Sequence, residues 1–512
     1  MRRKTIIIKG HRLLVRHRYR IWLVLAMALM GGVLAEASES AKQDPCLYSH
    51  KVISAEEIRN NAANGPITYE NVEVTGDLEL VHDEYKSIII TNSTFDGNIS
   101  ALGTAITNKA IFKNISFRKN ASFTSTNFDG ETDFSGCCFH GAANFSDSRF
   151  IEGATFDYTT FDKDVDFTAI RFDKFGSFYN VTFAGDTTFF LSQFTGTYAN
   201  LEYTQFLSNV DFIRSQFSAP LSFIGAKLWK NADFHDSKFT GGVNGLNISF
   251  LGDAKFSRCH FTEETVFRNN YFNGTADFAN SRFDGPSFFN NSSFHGNAIF
   301  DGVQFFGSSD FTDAKFSKIF AMNNTKISTM LLDGAAFGPA SRLFLAKADI
   351  NKLMVKWSLI KDILSYDTSA YLSLVKNYRD MGTSDADDCY YQFRSLTQDS
   401  RSWGAAKVLD ILASITCGYG VRADRPVICS LFLVLSCSII LWKGRGLRSP
   451  ASIDNKTSLY DALYYCLAIF FTIPLPDLKP AGKYRYVPVT LRAIAWTLFA
   501  LLIATLGKVM IK

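Results

Sequence analysis

The residues able to do chemistry in this chain of 512 are numerous but badly placed for catalysis. The eight histidines are scattered, and His82, His140, His235, His260 and His295 stand singly, mostly beside a phenylalanine. The nine cysteines include no Cys-x-x-Cys pair, so the spacing of a zinc site is absent. No glycine-rich phosphate loop or nucleophile elbow is found either. The expectation is a protein that is not an enzyme, with no catalytic residues, no metal site and no cofactor. The densest acidic group is Asp385-Ala-Asp-Asp-Cys-Tyr-Tyr-Gln-Phe-Arg394. It has donors for a cation, but it also has the pattern of a helix whose acidic first turn complements its own dipole, and that reading is preferred.

The element that must position these residues announces itself as an aromatic beat. From Phe112 a ring returns at alternating intervals of five and six residues, through Phe117, Phe123, Phe128, Phe134 and Phe139 to Phe194. After a one-residue irregularity at Leu201 the beat resumes at Phe206, and after a second around Leu246 it runs from Phe250 to Phe316. Neither the 3.6-residue helix period nor strand alternation produces it; a solenoid does, each short unit turning a corner and dropping one ring inward. The unit reads as in Ala143-Asn144-Phe145-Ser146 and Ala276-Asp277-Phe278-Ala279. A small residue two before the ring suits a crowded corner, Asp, Asn, Ser and Thr can bond the turning backbone, and Gly relieves positive φ.

This unit resembles the Phe-centred variant of the pentapeptide-repeat family, in which four units make one square coil of a β-helix. The resemblance implies about 22 residues per coil, about nine coils and, at roughly 4.8 Å per coil, a rod on the order of 45 Å. The fold expected is mainly β: a pentapeptide-repeat solenoid, then an α-helical segment, then a C-terminal α-helical transmembrane domain.

The rest of the chain divides around the rod. Residues 1–36 join a basic head without acids (Arg2 to Arg20) to an apolar stretch ending Val33-Leu34-Ala35, which reads as a signal peptide or an N-terminal anchor. Residues 45–105 read as an N-terminal cap, with Ser54 and Glu57 forming a capping box before a helix from Ala55 that Asn64-Gly65-Pro66 stops. The repeats are assigned 106–340 and a helical linker or cap 341–425. Cys389 and Cys417 are the disulfide pair expected, while the adjacent Cys137 and Cys138 interrupt the repeat.

Residues 426–512 change character. Pro426 to Trp442 is a nearly uncharged span, Lys443, Arg445 and Arg448 follow, and a longer apolar segment runs from Val489 to Ile511. Between the spans lies 458–477. Span, short helix, Thr-x-x-x-x-Asp, span resembles the two-helix pore module of potassium channels. By that resemblance Asp461, Tyr464 and Tyr465 belong to the pore helix, and Thr472, Ile473, Pro474, Leu475, Pro476 and Asp477 fall on the filter. Cys389 to Arg394 and Cys417-Gly-Tyr-Gly-Val-Arg422 also resemble prokaryotic proteins that join pentapeptide repeats to such a module. Both filter glycines are proline here, and proline fixes φ near −65°, so the potassium-selective carbonyl ladder is not expected. A weakly selective pore, with the Thr472 hydroxyl and Asp477 carboxylate as polar rings in a homo-oligomer, is one reading. A third buried or spanning helix without conduction is the other.

The basic residues between the spans (Lys443, Arg445, Arg448, Lys456, Lys479, Lys483, Arg485 and Arg492) place that loop in the cytoplasm by the positive-inside rule. An exported N-terminus agrees, giving a multi-pass cell-membrane protein with extracellular repeats and a segment that dips in from the cytoplasm. The alternative function is a cell-surface structural or adhesion protein using these helices only as an anchor. The partners expected are membrane lipid, further copies of the chain and an extracellular protein or glycan. Nucleic-acid mimicry is excluded, because the rod's mixed charges sum to only about six negative units, far short of a dense anionic face.

Overall fold

The computed structural model describes residues 51–80, 84–448, 457–474 and 477–510. The segment expected as a leader, the cap before residue 51, His82, Lys456, Leu475 and Pro476 lie outside the described residues. Two compact units divide the chain, one ending at Asp211 and the other starting at Phe212. Counted along the sequence there are about 14 turns of β-solenoid, more than the nine the aromatic beat suggests.

In the first unit the parallel ladders begin at Lys51–Ser54, which pairs with Val72–Thr75, and Ile67–Glu70 pairs with Ile88–Thr91. Coils therefore form within the segment read as a cap. The Phe beat misses them because Ile53, Val74, Ile88, Ile90, Leu78 and Ile99 fill their inward positions. Against this end packs α1 (Ala55–Asn64), capped by Ser54, whose Oγ accepts the Glu57 N–H at 3.1 Å. Further on, Phe117, Phe139, Phe161 and Phe183 stand in register on successive coils. Their rings stack at centroid distances of 4.4, 4.7 and 5.0 Å. The extra residue near Leu201 is absorbed outside the stack, since Phe206 still lies 4.9 Å from Phe183. Each such ring, fully removed from water, contributes on the order of 1.5–3 kcal/mol.

Two features of the corners differ from expectation. Positive φ is carried mostly by residues other than Gly, such as Asn114, Asp147, Asn180 and Asn269. Asn and Asp tolerate that region because their short side chains bond locally. Many glycines serve close approach instead: a Cβ on Gly296 would run into the Gly274 carbonyl one coil below. Nor do the paired cysteines interrupt the repeat. A hydroxyl usually bonds the Phe carbonyl of the coil below, as Thr159 does to Phe134 at 2.7 Å and Ser192 to Phe167 at 2.8 Å. Cys137 takes that place on Phe112 at 2.6 Å.

The second unit repeats the scheme. Phe250, Phe272, Phe294, Phe316 and Phe337 pair in register, and the Asp277 carboxylate accepts the Ala279 N–H at 2.9 Å, closing a corner as anticipated. The last long strand is Asp349–Met354, beyond the 340 boundary, again because aliphatic residues (Ile350, Leu353) replace the rings. Helices α2 (Trp357–Ile360) and α3 (Thr368–Asp380) then end the stack. α3 buries Tyr371, Leu374, Val375, Asn377 and Tyr378. Helix α4 (Asp385–Ser400) has the acidic first turn expected of it. There the Asp385 carboxylate accepts the Trp357 N–H at 2.8 Å.

Candidate membrane module

Four further helices complete the second unit: α5 (Ala405–Cys417), α6 (Asp424–Lys443), α7 (Leu459–Phe470) and α8 (Val487–Met510). Twenty residues give α6 a length of about 30 Å, the thickness of a bilayer's hydrocarbon core, and α8 is longer. Asp424–Lys443 and Gly482–Gly507 are long and apolar enough to cross a membrane, and only 22% of either apolar window is buried. A core helix of a water-soluble protein would be mostly covered; here Ile428, Leu431, Phe432, Trp496 and Ile503 are bare.

The twelve residues of α7 reach only about 18 Å, too short to cross. It packs into a cluster of Val434, Leu441, Leu447, Ala462, Tyr465, Cys466, Ile469 and Leu491 drawn from both long helices and the adjoining loop. Its start is a full capping box: the Asp461 N–H donates to Ser458 Oγ at 3.1 Å and the Ser458 N–H to Asp461 Oδ2 at 2.8 Å. Its end is a Schellman turn. Thr472 takes φ 57°, its N–H donates to the Ile469 carbonyl at 3.2 Å, and the Ile473 N–H donates to the Ala468 carbonyl at 2.8 Å. Of the residues singled out from the sequence, Asp461 thus caps, Tyr465 is buried and Tyr464 is exposed. Thr472 and Ile473 terminate the helix, while Pro474 and Asp477 lie exposed nearby.

The chain enters and leaves this excursion at one place. Leu447–Arg448 pairs antiparallel with Lys479–Pro480, and the Ala481 N–H donates to the Gly446 carbonyl at 2.8 Å. The Tyr484 ring lies so close over Gly444 and Gly446 that a Cβ on either would overlap it. Around this junction Lys443, Arg445, Arg448, Lys479, Lys483, Arg485 and Arg492 are all exposed.

At the opposite end of α6 the structure joins the two stretches that carry the second resemblance. Arg422 pairs with Asp388 at 2.5 Å, Arg425 donates to the Tyr391 hydroxyl at 3.1 Å, and both guanidiniums lie over the Tyr391 ring at 5.4 and 5.3 Å. Arg394 covers the Tyr419 ring at 5.3 Å and shares Asp410 with Arg401, at 2.8 and 2.5 Å. Gly418, Tyr419 and Gly420 all take positive φ, turning the chain sharply between α5 and α6. Asp410 went unremarked in the sequence; as the lone acid of an apolar helix it was the available signal. Cys389 and Cys417 are brought into this region but not bridged. Cys417 donates to the Ala413 carbonyl of its own helix at 3.4 Å, while Cys389 sits near the Tyr371 carbonyl, where burial pushes its thiol up to about 12. Among the described residues no group of three or more His, Cys, Asp or Glu could hold a metal. Of the acids of α4, Asp385 accepts from Trp357 and Asp388 pairs with Arg422.

A family model for pentapeptide repeats matches nine copies, at residues 123–171 and 271–315. Comparison with curated proteins and with solved structures gives no match.

Proposed function

We propose that this pentapeptide-repeat chain is an integral membrane protein in which α6 and α8 cross the bilayer, α7 is a re-entrant half-helix, and the solenoid is displayed outside the cell. One observation carries the re-entrant reading: the short ladder between Leu447–Arg448 and Lys479–Pro480, which brings the two ends of the α7 excursion to the same side. The seven exposed basic residues at that junction support a cytoplasmic position for it. Span, half-helix and span are then the parts of a channel-like domain. A homo-oligomer of such domains would gather Thr472 and Asp477 around an axis as hydroxyl and carboxylate rings, with weak ion selectivity because Pro474 forbids a regular carbonyl ladder.

The use of Thr472 and Ile473 as a helix terminus favours a second reading, a cell-surface structural or adhesion protein in which the three helices only anchor the solenoid. Purified protein in planar bilayers separates the two. Conductance that changes with Asp477→Asn supports the pore, and silence under every ion gradient leaves the anchor. In cells, Cys substitutions at Arg445 and Lys483 should both label from the cytoplasm, and one at Ser384 from outside. Labelling of Arg445 and Lys483 positions from opposite sides would remove the re-entrant segment.

A further inference from the structure

Helix α5 is half committed. One side is engaged with protein: Asp410 lies between Arg394 and Arg401, and Cys417 is buried at its end. The other side is a bare apolar stripe, with Val408, Leu409, Leu412 and Ile415 exposed at 48, 66, 51 and 54%, and Trp403 just ahead of the helix exposed at 80%. The spacing 408, 412, 415 keeps the stripe on one face through the length of the helix.

Three observations say what covers that stripe. The first is position: α5 sits where α6 begins and α8 finishes. Arg425 donates to the Ser414 carbonyl at 2.8 Å, Cys429 Sγ to the Ile415 carbonyl at 3.4 Å, and a cavity of about 340 Å³ has Ala413 and Cys417 facing Leu501 and Ala504. The second is continuity: next to Cys429, the first turns of α6 expose Val427, Ile428, Leu431 and Phe432. The third is the chemistry of the rim. Trp403, bare to solvent just ahead of the helix, carries Lys407 at 5.2 Å from its ring. An exposed Trp with a Lys at its ring and a bare apolar stripe opposite a charged, protein-bound face are the marks of a helix lying in a bilayer interface.

We infer that α5 lies in the plane of the membrane surface, its Trp403-to-Ile415 face sunk at the boundary between headgroups and acyl chains. The inference rests on α6 and α8 crossing the bilayer. The occupant of the stripe is lipid rather than another protein chain, and the helix fixes how deep the turn at Gly418–Gly420 sits.

The test uses the full chain in vesicles of phosphatidylcholine and phosphatidylglycerol whose acyl chains carry bromine either near the headgroup or deep. Trp403→Phe is compared with the wild type, so the fluorescence difference isolates Trp403 among the six tryptophans. Shallow bromine should quench that component at least about twofold, and more than deep bromine does. Trp442→Phe and Trp496→Phe, each compared with the wild type in the same way, report separately on α6 and α8. Quenching of these two with none of Trp403 overturns the inference and leaves the spanning helices standing. Failure of all three to respond overturns both. A Trp403 shielded from aqueous acrylamide but untouched by bromine is covered by protein, which also overturns it.

Discussion

Asn377 holds the end of the solenoid closed. Its side chain, 1% exposed on α3, accepts the Leu353 N–H at Oδ1 and donates from Nδ2 to the Leu353 carbonyl, both at 2.9 Å. A helical amide thus takes the place of the next coil for the last strand. Asn377→Ala strands one buried donor and one buried acceptor, at about 1–3 kcal/mol each, or about 2–6 kcal/mol together. Asn377→Asp keeps the acceptor but sets a carboxylate against the Leu353 carbonyl, so it should be no milder. Even the lower figure is about a 30-fold increase in local opening. Because coils of a repeat protein couple mainly to their neighbours, the loss should stay local. Hydrogen–deuterium exchange of the full chain reads it directly: amides of 349–354 should exchange faster, with little change around Phe250. Unaltered exchange over 349–354 in both variants would refute the capping role.

Three other outcomes follow from the packing. Phe278, stacked at 4.9 Å on both Phe256 and Phe300, should lose about 3–5 kcal/mol on Phe278→Ala. Phe306→Ala, which removes a 40% exposed ring, should cost far less, and equal shifts in denaturant midpoint would contradict a ring-filled interior. Thr472→Gly relieves a left-handed β-branched residue and should stabilise by about 1–2 kcal/mol, seen as a higher Tm; a lower one would mean that the Schellman turn is absent. Arg258, bonded to Asp236 at 2.7 and 3.0 Å, holds that carboxyl below the usual carboxylate range. The stabilisation is present above the ordinary value, about pH 4, and is lost as pH falls through the lower folded value. Arg258→Gln should therefore flatten the acid side of the stability profile, and an unchanged profile would show that the pair contributes nothing.

The repeat was legible because its rule is local. One inward ring per five or six residues, a small residue at the corner and a polar one to close it are written within each unit, and the coil follows from repetition. The two long apolar helices were legible for the same reason, since length and apolarity are properties of a segment. The ends of the solenoid were not, because Ile53, Ile88, Ile350 and Leu353 obey the same inward rule without an aromatic to mark it. The expected bridge between Cys389 and Cys417 failed because spacing along a chain does not say where a thiol points.

By itself the sequence determined the architecture: a stack of Phe-filled coils, a helical stretch and apolar helices. Tertiary structure alone decided how these are terminated and joined, through Asn377 against Leu353, Asp410 between two arginines, and Leu447–Arg448 beside Lys479–Pro480. The physical reason is that each of these contacts satisfies a backbone group or a charge with a partner distant in sequence. Such a pairing has no period, and it exists only once folding has brought those residues together.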